Sequence, residues 1–187
     1  MRVISGKAKG RKLKSPFKAR PLTDRVKGAL FNILRGRIAD SSFLDLFAGS
    51  GAVGIEAISN GAKSAVFVEL NPQNTKVIVE NLDKTELTSL AKVLRLDAVS
   101  ALNLLAKQGL RFDIIYLGAP YEDPALEECL AKISSLNLLA EKGLVIAEHR
   151  KQHFVRNKYG MLEVKRENNY GETVLKFYEK SNLSWQF

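Results

Sequence analysis

One stretch of this 187-residue chain is the main indication of its fold: Ser42-Phe43-Leu44-Asp45-Leu46-Phe47-Ala48-Gly49-Ser50-Gly51-Ala52-Val53-Gly54. An apolar run reaches a carboxylate, a glycine turn follows, and the helical pattern Ile55-Glu56-Ala57-Ile58 comes next. Strand, glycine-rich turn and helix in this order open the α/β units that bind cofactors. Glycine lets the backbone approach a ligand closely, and the helix N-terminus adds N–H groups that face it. A tight turn without a ligand is the alternative, since many loops share this glycine spacing.

The alternation of apolar strand and helix continues beyond this turn. Five β-α repeats predict a parallel sheet that is covered by helices on both faces. The last two apolar runs flank a turn and predict an antiparallel hairpin at one edge of the sheet. We expect the later strands at 64–69, 93–97, 112–117, 144–148, 161–166 and 173–178, and helices at 72–82, 98–107 and 124–134. A further helix is expected through Val26 and Leu34, with Thr23 or Asp24 as its N-cap.

Length and composition predict one globular domain over residues 1–187. The chain is 45% hydrophobic and 26% charged, which is ordinary for a soluble protein. A single cysteine, Cys129, excludes an intramolecular disulfide and favours a reducing compartment. Neither a membrane span nor a signal peptide is apparent in the sequence. We therefore expect a cytoplasmic protein, a monomer, without a membrane partner.

The net charge of +9 is concentrated at the N-terminus. Residues 1–37 carry twelve Lys and Arg against one acid, whereas residues 38–187 carry 17 against 19. The first 14 residues predict a small twisted hairpin, and the whole basic extension, 1–37, precedes a cofactor-binding core over 38–187. Such asymmetry indicates a surface for a polyanion, and a merely solubilising arm is the alternative.

Acidic residues follow three successive strands of the predicted sheet, where ligands bind in open α/β folds. Glu69 comes 20 residues after Gly49 and is placed to bind both hydroxyls of a ribose. Asp97 can accept a hydrogen bond from an adenine amino group. Asp45 stands where it would neutralise a ligand cation such as an amino-acid ammonium, and it would repel the pyrophosphate of a dinucleotide. These positions favour S-adenosylmethionine over NAD.

Longer motifs elsewhere in the chain are more specific than the glycine turn. They are Arg2-Val3-Ile4-Ser5-Gly6-Lys7 with Gly10-Arg11-Lys12-Leu13, Arg20-Pro21-Leu22-Thr23-Asp24-Arg25-Val26 with Leu30-Phe31-Asn32, Asp45-Leu46-Phe47-Ala48-Gly49-Ser50-Gly51, and Tyr170-Gly171-Glu172-Thr173. With these motifs the sequence resembles, over nearly its whole length, the RsmD family of small-subunit (16S) ribosomal RNA guanine-N2 methyltransferases. The resemblance implies a class I S-adenosylmethionine-dependent methyltransferase fold, which is Rossmann-like with a seven-stranded, mostly parallel sheet.

The resemblance also implies roles for individual residues. Asp45, Gly49 and Gly51 would line the methionine part of S-adenosylmethionine, Glu69 the ribose, and Asp97 with Ala98 the adenine; Phe47 and Leu70 complete this set. Thr23 and Arg25 belong to a segment that would close over the cofactor and the substrate nucleotide. The cations expected to bind ribosomal RNA are Arg2, Lys7, Lys9, Arg11, Lys12 and Arg20.

One motif departs from the family. Asp-Pro-Pro followed by Tyr or Phe is expected after the fourth strand, and this chain has Gly118-Ala119-Pro120-Tyr121 as its catalytic segment. An exocyclic amine is a poor nucleophile, and Gly118 lacks the carboxylate that would accept its N–H bonds. Tyr121 still offers a face for an extruded base. Four explanations are open. Backbone carbonyls accept the N–H bonds instead, or another acid does so, namely Glu122, Asp123 or Glu148. Otherwise catalysis is impaired, or the change is an engineered substitution.

Three functions therefore compete at this level. The first is methyl transfer to a guanine amine of ribosomal RNA, and the second is a non-catalytic RNA-binding or ribosome-assembly factor with the same fold. The third, a nucleotide-dependent oxidoreductase, is disfavoured by Asp45 and by the basic extension. No metal is expected, because His149 and His153 lack a convincing third ligand.

Overall fold

The computed structural model describes residues 1–17, 22–120 and 124–181. Thr23 begins the first helix as its N-cap, because its hydroxyl accepts a hydrogen bond from the Val26 amide. The helices are α1 (Asp24–Leu34), α2 (Ala52–Ser59), α3 (Pro72–Thr85), α4 (Ala98–Lys107) and α5 (Ala125–Ser135). The strands are β1 (Ser42–Leu46), β2 (Ser64–Val68), β3 (Ala91–Leu94), β4 (Phe112–Leu117), β5 (Leu139–Arg150), β6 (Lys158–Tyr159), β7 (Leu162–Tyr170) and β8 (Thr173–Lys180).

These strands form one sheet in the order β3-β2-β1-β4-β5-β8-β7-β6. The first five are parallel, and β8 and β7 run antiparallel to their neighbours. The predicted α/β class, with a mostly parallel sheet and an antiparallel C-terminal hairpin, is confirmed. The sheet has eight strands rather than the seven that the resemblance implies, because the two-residue strand β6 is added at the β7 edge.

Helices cover both faces of the sheet because β1 is apolar on both sides. Phe43 faces a core shared with α1, α2 and α3, whereas Leu44 and Leu46 face a second core under α4 and α5. Cys129 lies fully buried in the second core, as its apolar-compatible position predicts. Burial on both faces explains the continuous apolar runs of the parallel strands.

Several strand boundaries differ from the sequence expectation, including those of β3 and β5. Strand β3 ends at Leu94 rather than Asp97, because its partner β2 ends at Val68, which pairs with Leu94. Strand β5 begins at Leu139, five residues before the apolar run at 144–148, and continues to Arg150. Its length is set by pairing with β4 on one side and β8 on the other, a tertiary effect that periodicity does not report.

The first residues of the basic N-terminus form the hairpin that the sequence predicts, and this hairpin packs on the core. Arg2 and Lys12 form an antiparallel bridge, and the Val3 amide donates to the Arg11 carbonyl at 3.0 Å. Three apolar side chains anchor this hairpin in the first core, and each is less than a tenth exposed; they are Val3, Ala8 and Leu13. The apolar pieces that interrupt the cations are therefore the anchors of the hairpin.

A buried ion pair joins this hairpin to α1 and α2. Lys27 and Glu56 are both 0% exposed, with 3.2 Å between Nζ and Oε2. Lys27 Nζ also donates to the Arg2 carbonyl at 2.7 Å. The Glu56 carboxylate accepts from the Ile4 amide at 2.9 Å and from the Ser5 amide at 2.8 Å. Burial of a charge is tolerated here because hydrogen bonds satisfy both groups.

Within the described residues, every helix is too short or too polar to cross a membrane.

Candidate active site

A cavity of about 820 Å³ opens at the carboxyl ends of the parallel strands. It lies around β1 and β4, where the strand order reverses, which is the position that ligands occupy in doubly wound sheets. Its volume is in the range of small-molecule sites. Seven of the ten residues predicted to bind cofactor line it, namely Asp45, Phe47, Gly49, Glu69, Leu70, Asp97 and Ala98.

The turn after β1 is shaped by residues in the left-handed region. Phe47 has φ +63°, Gly49 +58° and Gly51 +75°. Phe47 carries a conformational cost there, and such strain is concentrated at ligand sites. Gly51 is the N-cap of α2 and does not line the cavity; a Cβ on it would lie 3.2 Å from Ile78. The first two residues of α2, Ala52 and Val53, line the cavity, so the helix begins at its wall.

Glu69 holds this turn in place. Its Oε2 accepts from the Gly49 amide at 2.8 Å, and its Oε1 accepts from the Asn71 amide at 2.8 Å. Each carboxylate oxygen keeps a second lone pair for a ligand donor. The assignment of Glu69 to a ribose stays a prediction, and Glu69 has a structural role as well, which sequence spacing did not reveal.

Asp97 caps the helix that follows β3. Its Oδ1 accepts from the Ser100 amide at 2.9 Å, and this hydrogen bond holds the pKa of Asp97 below its ordinary value. An ionised, exposed carboxylate at the cavity rim can accept a hydrogen bond from a ligand amine. Its proposed contact with adenine stays a prediction.

Gly118, Ala119 and Pro120 line the opposite wall of the cavity, at the end of β4. Gly118 donates its amide to the Leu46 carbonyl at 3.2 Å, so the turn is tied to β1. The remaining members of the predicted catalytic segment and its neighbours, Tyr121, Glu122 and Asp123, lie outside the described residues. Of the three acids considered as substitutes, Glu148 is described, and it lines the cavity.

Tyr116 accompanies Glu148, and the sequence analysis did not single it out. Its hydroxyl donates to Glu148 Oε2, and both residues line the cavity. The pair spans β4 and β5, which are 32 residues apart in sequence at this point. The side chains of β4 alternate between two buried faces, so the sequence alone predicts that Tyr116 is a core residue.

The N-terminal segment contributes a further wall of the cavity. Pro16, Phe17 and Leu22 line it, whereas Thr23 and Arg25 do not. Phe17 is fixed by its amide, which donates to Asn74 Oδ1 at 2.6 Å. The predicted roles of Thr23 and Arg25 in closing over the cofactor stay predictions.

The cations expected to bind RNA lie along the hairpin. Arg2, Lys7, Lys9 and Lys12 are exposed. Arg11 already forms an ion pair within the protein, since its guanidinium lies 2.8 Å from Glu86 Oε1. Arg20 lies outside the described residues. Among the described residues, no group of three or more His, Cys, Asp or Glu side chains is arranged to bind a metal ion.

Asp45 is 1% exposed, and its burial raises the pKa of its carboxyl group to about 7. The Gly54 amide donates to Oδ2 at 2.9 Å and opposes this shift, whereas the charges of Glu69 and Glu148 add to it. The carboxyl group is therefore poised to ionise when a cation enters the cavity.

The pKa of Asp45 predicts how stability depends on pH. Between the ordinary value of 3.8 and about 7, the folded protein keeps a proton that the unfolded chain releases, so stability falls as pH rises through this window. Asp45→Asn keeps an acceptor for Gly54 and should remove this slope, which is about 1.4 kcal/mol per pH unit. Urea unfolding at pH 5 and pH 7.5 measures the difference, and parallel curves for the two proteins would contradict the assignment.

Two curated relatives extend over most of this chain. The Bacillus subtilis protein YlbH is 39% identical over 182 residues, which cover 96% of this chain and 99% of that protein. Ribosomal RNA small subunit methyltransferase D of Escherichia coli K12 is 31% identical, with 96% and 90% coverage.

Solved structures share the fold. A Thermus thermophilus protein, TTHA0928, superposes with a TM-score of 0.83 at 35% identity, covering 96% of this chain and 99% of its own. An RNA methyltransferase from Salinibacter ruber, in complex with S-adenosyl-L-homocysteine, shares the fold alone, at a TM-score of 0.64 and 14% identity over 84% and 92% of the two chains. The family described as Conserved hypothetical protein 95 matches residues 1–179, and the chain therefore belongs to this family, the RsmD family.

Proposed function

We propose that this protein transfers a methyl group from S-adenosylmethionine to the exocyclic N2 amine of a guanine in 16S ribosomal RNA, as a single cytoplasmic domain. The observation that carries the proposal is that Asp45, Glu69, Asp97 and the end of β4 line one cavity at the switch point of the sheet. The Escherichia coli relative is a small-subunit ribosomal RNA methyltransferase, which supports the substrate class.

The cavity fits the polar groups of S-adenosylmethionine. The buried carboxyl group of Asp45 can hold the ammonium, Glu69 the ribose hydroxyls, and Asp97 the adenine amine. Bound there, the cofactor supplies an activated methyl group on a sulfonium. Phe17, Leu22 and Phe47 give the cavity an apolar wall.

Methylation of transcribed 16S ribosomal RNA tests the proposal, because such RNA carries no methyl groups. The RNA is offered both free and assembled with small-subunit proteins, together with tritiated S-adenosylmethionine, and it is then digested to nucleosides. We expect label in N2-methylguanosine. Label in another nucleoside would refute the guanine-N2 assignment. Binding of the RNA without any transfer would favour the non-catalytic assembly factor, which the names of the relatives do not favour.

The cations of the N-terminal hairpin should bind the RNA. We expect replacement of Lys7, Lys9 and Lys12 by Ala to weaken binding of 16S RNA and to leave S-adenosylhomocysteine affinity unchanged. Each lost phosphate contact should reduce the slope of log K against log salt by about 0.7 on single-stranded RNA. Arg11 is left in place because it pairs with Glu86. Filter binding between about 50 and 200 mM salt measures the slope.

A matched variant separates specific contact from net charge. It removes three cations from the β3, α4 and α5 side of the molecule, namely Lys92, Lys107 and Lys132. This variant loses the same charge and should keep most of the salt slope. An equal loss in both variants would mean that the hairpin acts only through net charge.

A further inference from the structure

We propose that Glu148 is the carboxylate that accepts the N–H of the substrate amine, in place of the acid that Gly118 does not supply. This inference rests on the proposed function and assigns one residue within it. It also gives the Gly118-Ala119-Pro120 turn a defined chemical partner on the neighbouring strand.

The position of Glu148 follows from the pairing of β4 with β5. Tyr116 pairs with Ile146 and Leu117 with Ala147, so Glu148 stands beside the next residue, Gly118. Side chains alternate along a strand, and Tyr116, Gly118 and Glu148 therefore share a face at the carboxyl end of the sheet.

Distances bring the carboxylate to the side-chain position that glycine leaves open. A Cβ atom on Gly118 would lie 3.5 Å from Glu148 Oε2. The carboxylate of an aspartate at this position would extend from that same Cβ atom. Glu148 thus brings a carboxylate oxygen from β5 into the region that an aspartate on β4 would reach.

Tyr116 fixes the carboxylate in this orientation. Its ring is 2% exposed, and its hydroxyl donates to Glu148 Oε2. The ring also approaches Gly118, with 3.0 Å between Cε1 and a Cβ atom at that position. Tyr116 is a positioning residue, because it acts through Glu148 rather than on the substrate.

Glu148 and Asp45 line the same cavity, and the charge of Glu148 adds to the raised pKa of Asp45. The two acids have different surroundings. Asp45 is 1% exposed and accepts a hydrogen bond from the Gly54 amide, whereas Glu148 is half-buried beside the Gly118 turn. Asp45 is therefore suited to the ligand cation and Glu148 to the amine of the base.

The chemical step balances with Glu148 as the proton acceptor. The N2 lone pair forms the bond to the methyl carbon, the carbon–sulfur bond breaks, and its electron pair stays on sulfur. N2 then holds one proton too many, and this proton passes to the Glu148 carboxylate. Before the step, the same carboxylate accepts an N2–H hydrogen bond and directs the lone pair toward the methyl group.

Glu148→Gln tests this assignment. The amide oxygen can still accept from Tyr116, but it is not a base. Single-turnover methylation of the transcribed 16S RNA should slow by about 10²–10⁴-fold, which is the usual contribution of a positioned proton acceptor. The variant should remain folded by circular dichroism, and calorimetry should give an S-adenosylhomocysteine Kd within about threefold of the native value, because the side chains of Asp45, Glu69 and Asp97 are retained.

Restoring the acid on β4 distinguishes a chemical role from a structural one. Gly118→Asp, added to Glu148→Gln, should raise the methylation rate at least about tenfold above that of Glu148→Gln alone. The reason is that the new carboxylate extends from a Cβ atom 3.5 Å from the position of Glu148 Oε2. Glu141→Gln is the matched control, since it changes an exposed acid near the start of the same strand and should leave the rate unaltered.

Several results would overturn the assignment. They are an unchanged rate in Glu148→Gln, a loss of S-adenosylhomocysteine affinity as large as the loss of rate, and no recovery in the double variant. The second result would make Glu148 a cofactor ligand. Failure of the proposed function looks different, because then the native protein itself yields no N2-methylguanosine.

Discussion

Glu56→Ala should lower the free energy of unfolding by about 3–5 kcal/mol, the usual cost of breaking a buried ion pair from one side. The variant leaves the Lys27 ammonium buried at 0% exposure, with the Arg2 carbonyl at 2.7 Å and the Asp24 carboxylate 3.9 Å away. The amides of Ile4 and Ser5 also lose their acceptor. Urea unfolding monitored by circular dichroism gives the free energy.

A second variant separates the charge from the hydrogen bonds. In Lys27→Met with Glu56→Gln, neither charge remains and the glutamine oxygen can still accept from Ile4 or Ser5. This double variant should be closer to the native protein than Glu56→Ala. Glu80→Ala is the surface control, because Glu80 pairs with Lys14 in solvent and should change stability little. Equal stability of Glu56→Ala and the control would refute a structural role for the buried pair.

Gly6→Ala is expected to be the most disruptive substitution in the N-terminal hairpin. Gly6 has φ +76°, and a Cβ atom there would lie 1.9 Å from the Ser59 carbonyl oxygen. The clash forces the hairpin away from α2, where the Lys7 amide donates to that oxygen at 2.9 Å and the Ala8 amide to Ser59 Oγ at 3.0 Å. The left-handed conformation alone costs about 1–2 kcal/mol, and each lost hydrogen bond adds about 1 kcal/mol.

Gly10→Ala is a matched control in the same hairpin. Its φ is +86°, and a Cβ atom there would meet nothing within 4 Å among the described residues. This variant should show the conformational cost alone, about 1–2 kcal/mol. The difference between the two alanine variants in urea unfolding therefore measures the docking contact at Ser59. If the two variants lose equal stability, the hairpin does not pack on α2 as described.

Much of the architecture could be predicted from local patterns. Apolar runs that alternate with helical periodicity at 64–117 indicate parallel strands with crossover helices, and the carboxyl ends of such strands meet at one edge. For this reason Asp45, Glu69 and Asp97 could be expected together without a structure, and they line one cavity. Their individual contacts with a cofactor stay predictions.

Features that depend on residues distant in sequence became apparent only in the folded protein. Charge counting suggested a basic arm, but Ile4 and Glu56 are 52 residues apart, and no periodicity reveals the hydrogen bond between them. The lengths of β3 and β5 were set by their partner strands.

The environment of Gly118 shows the same division. The amino-acid sequence shows that the expected aspartate is missing there, and it contains several acids that could substitute, of which Glu148 is one. The tertiary structure brought the Glu148 carboxylate to Gly118 and paired it with Tyr116, because the register of β4 against β5 places them on one face. The sequence gives the identity of each side chain, but side chains on different strands come close together only when the sheet forms.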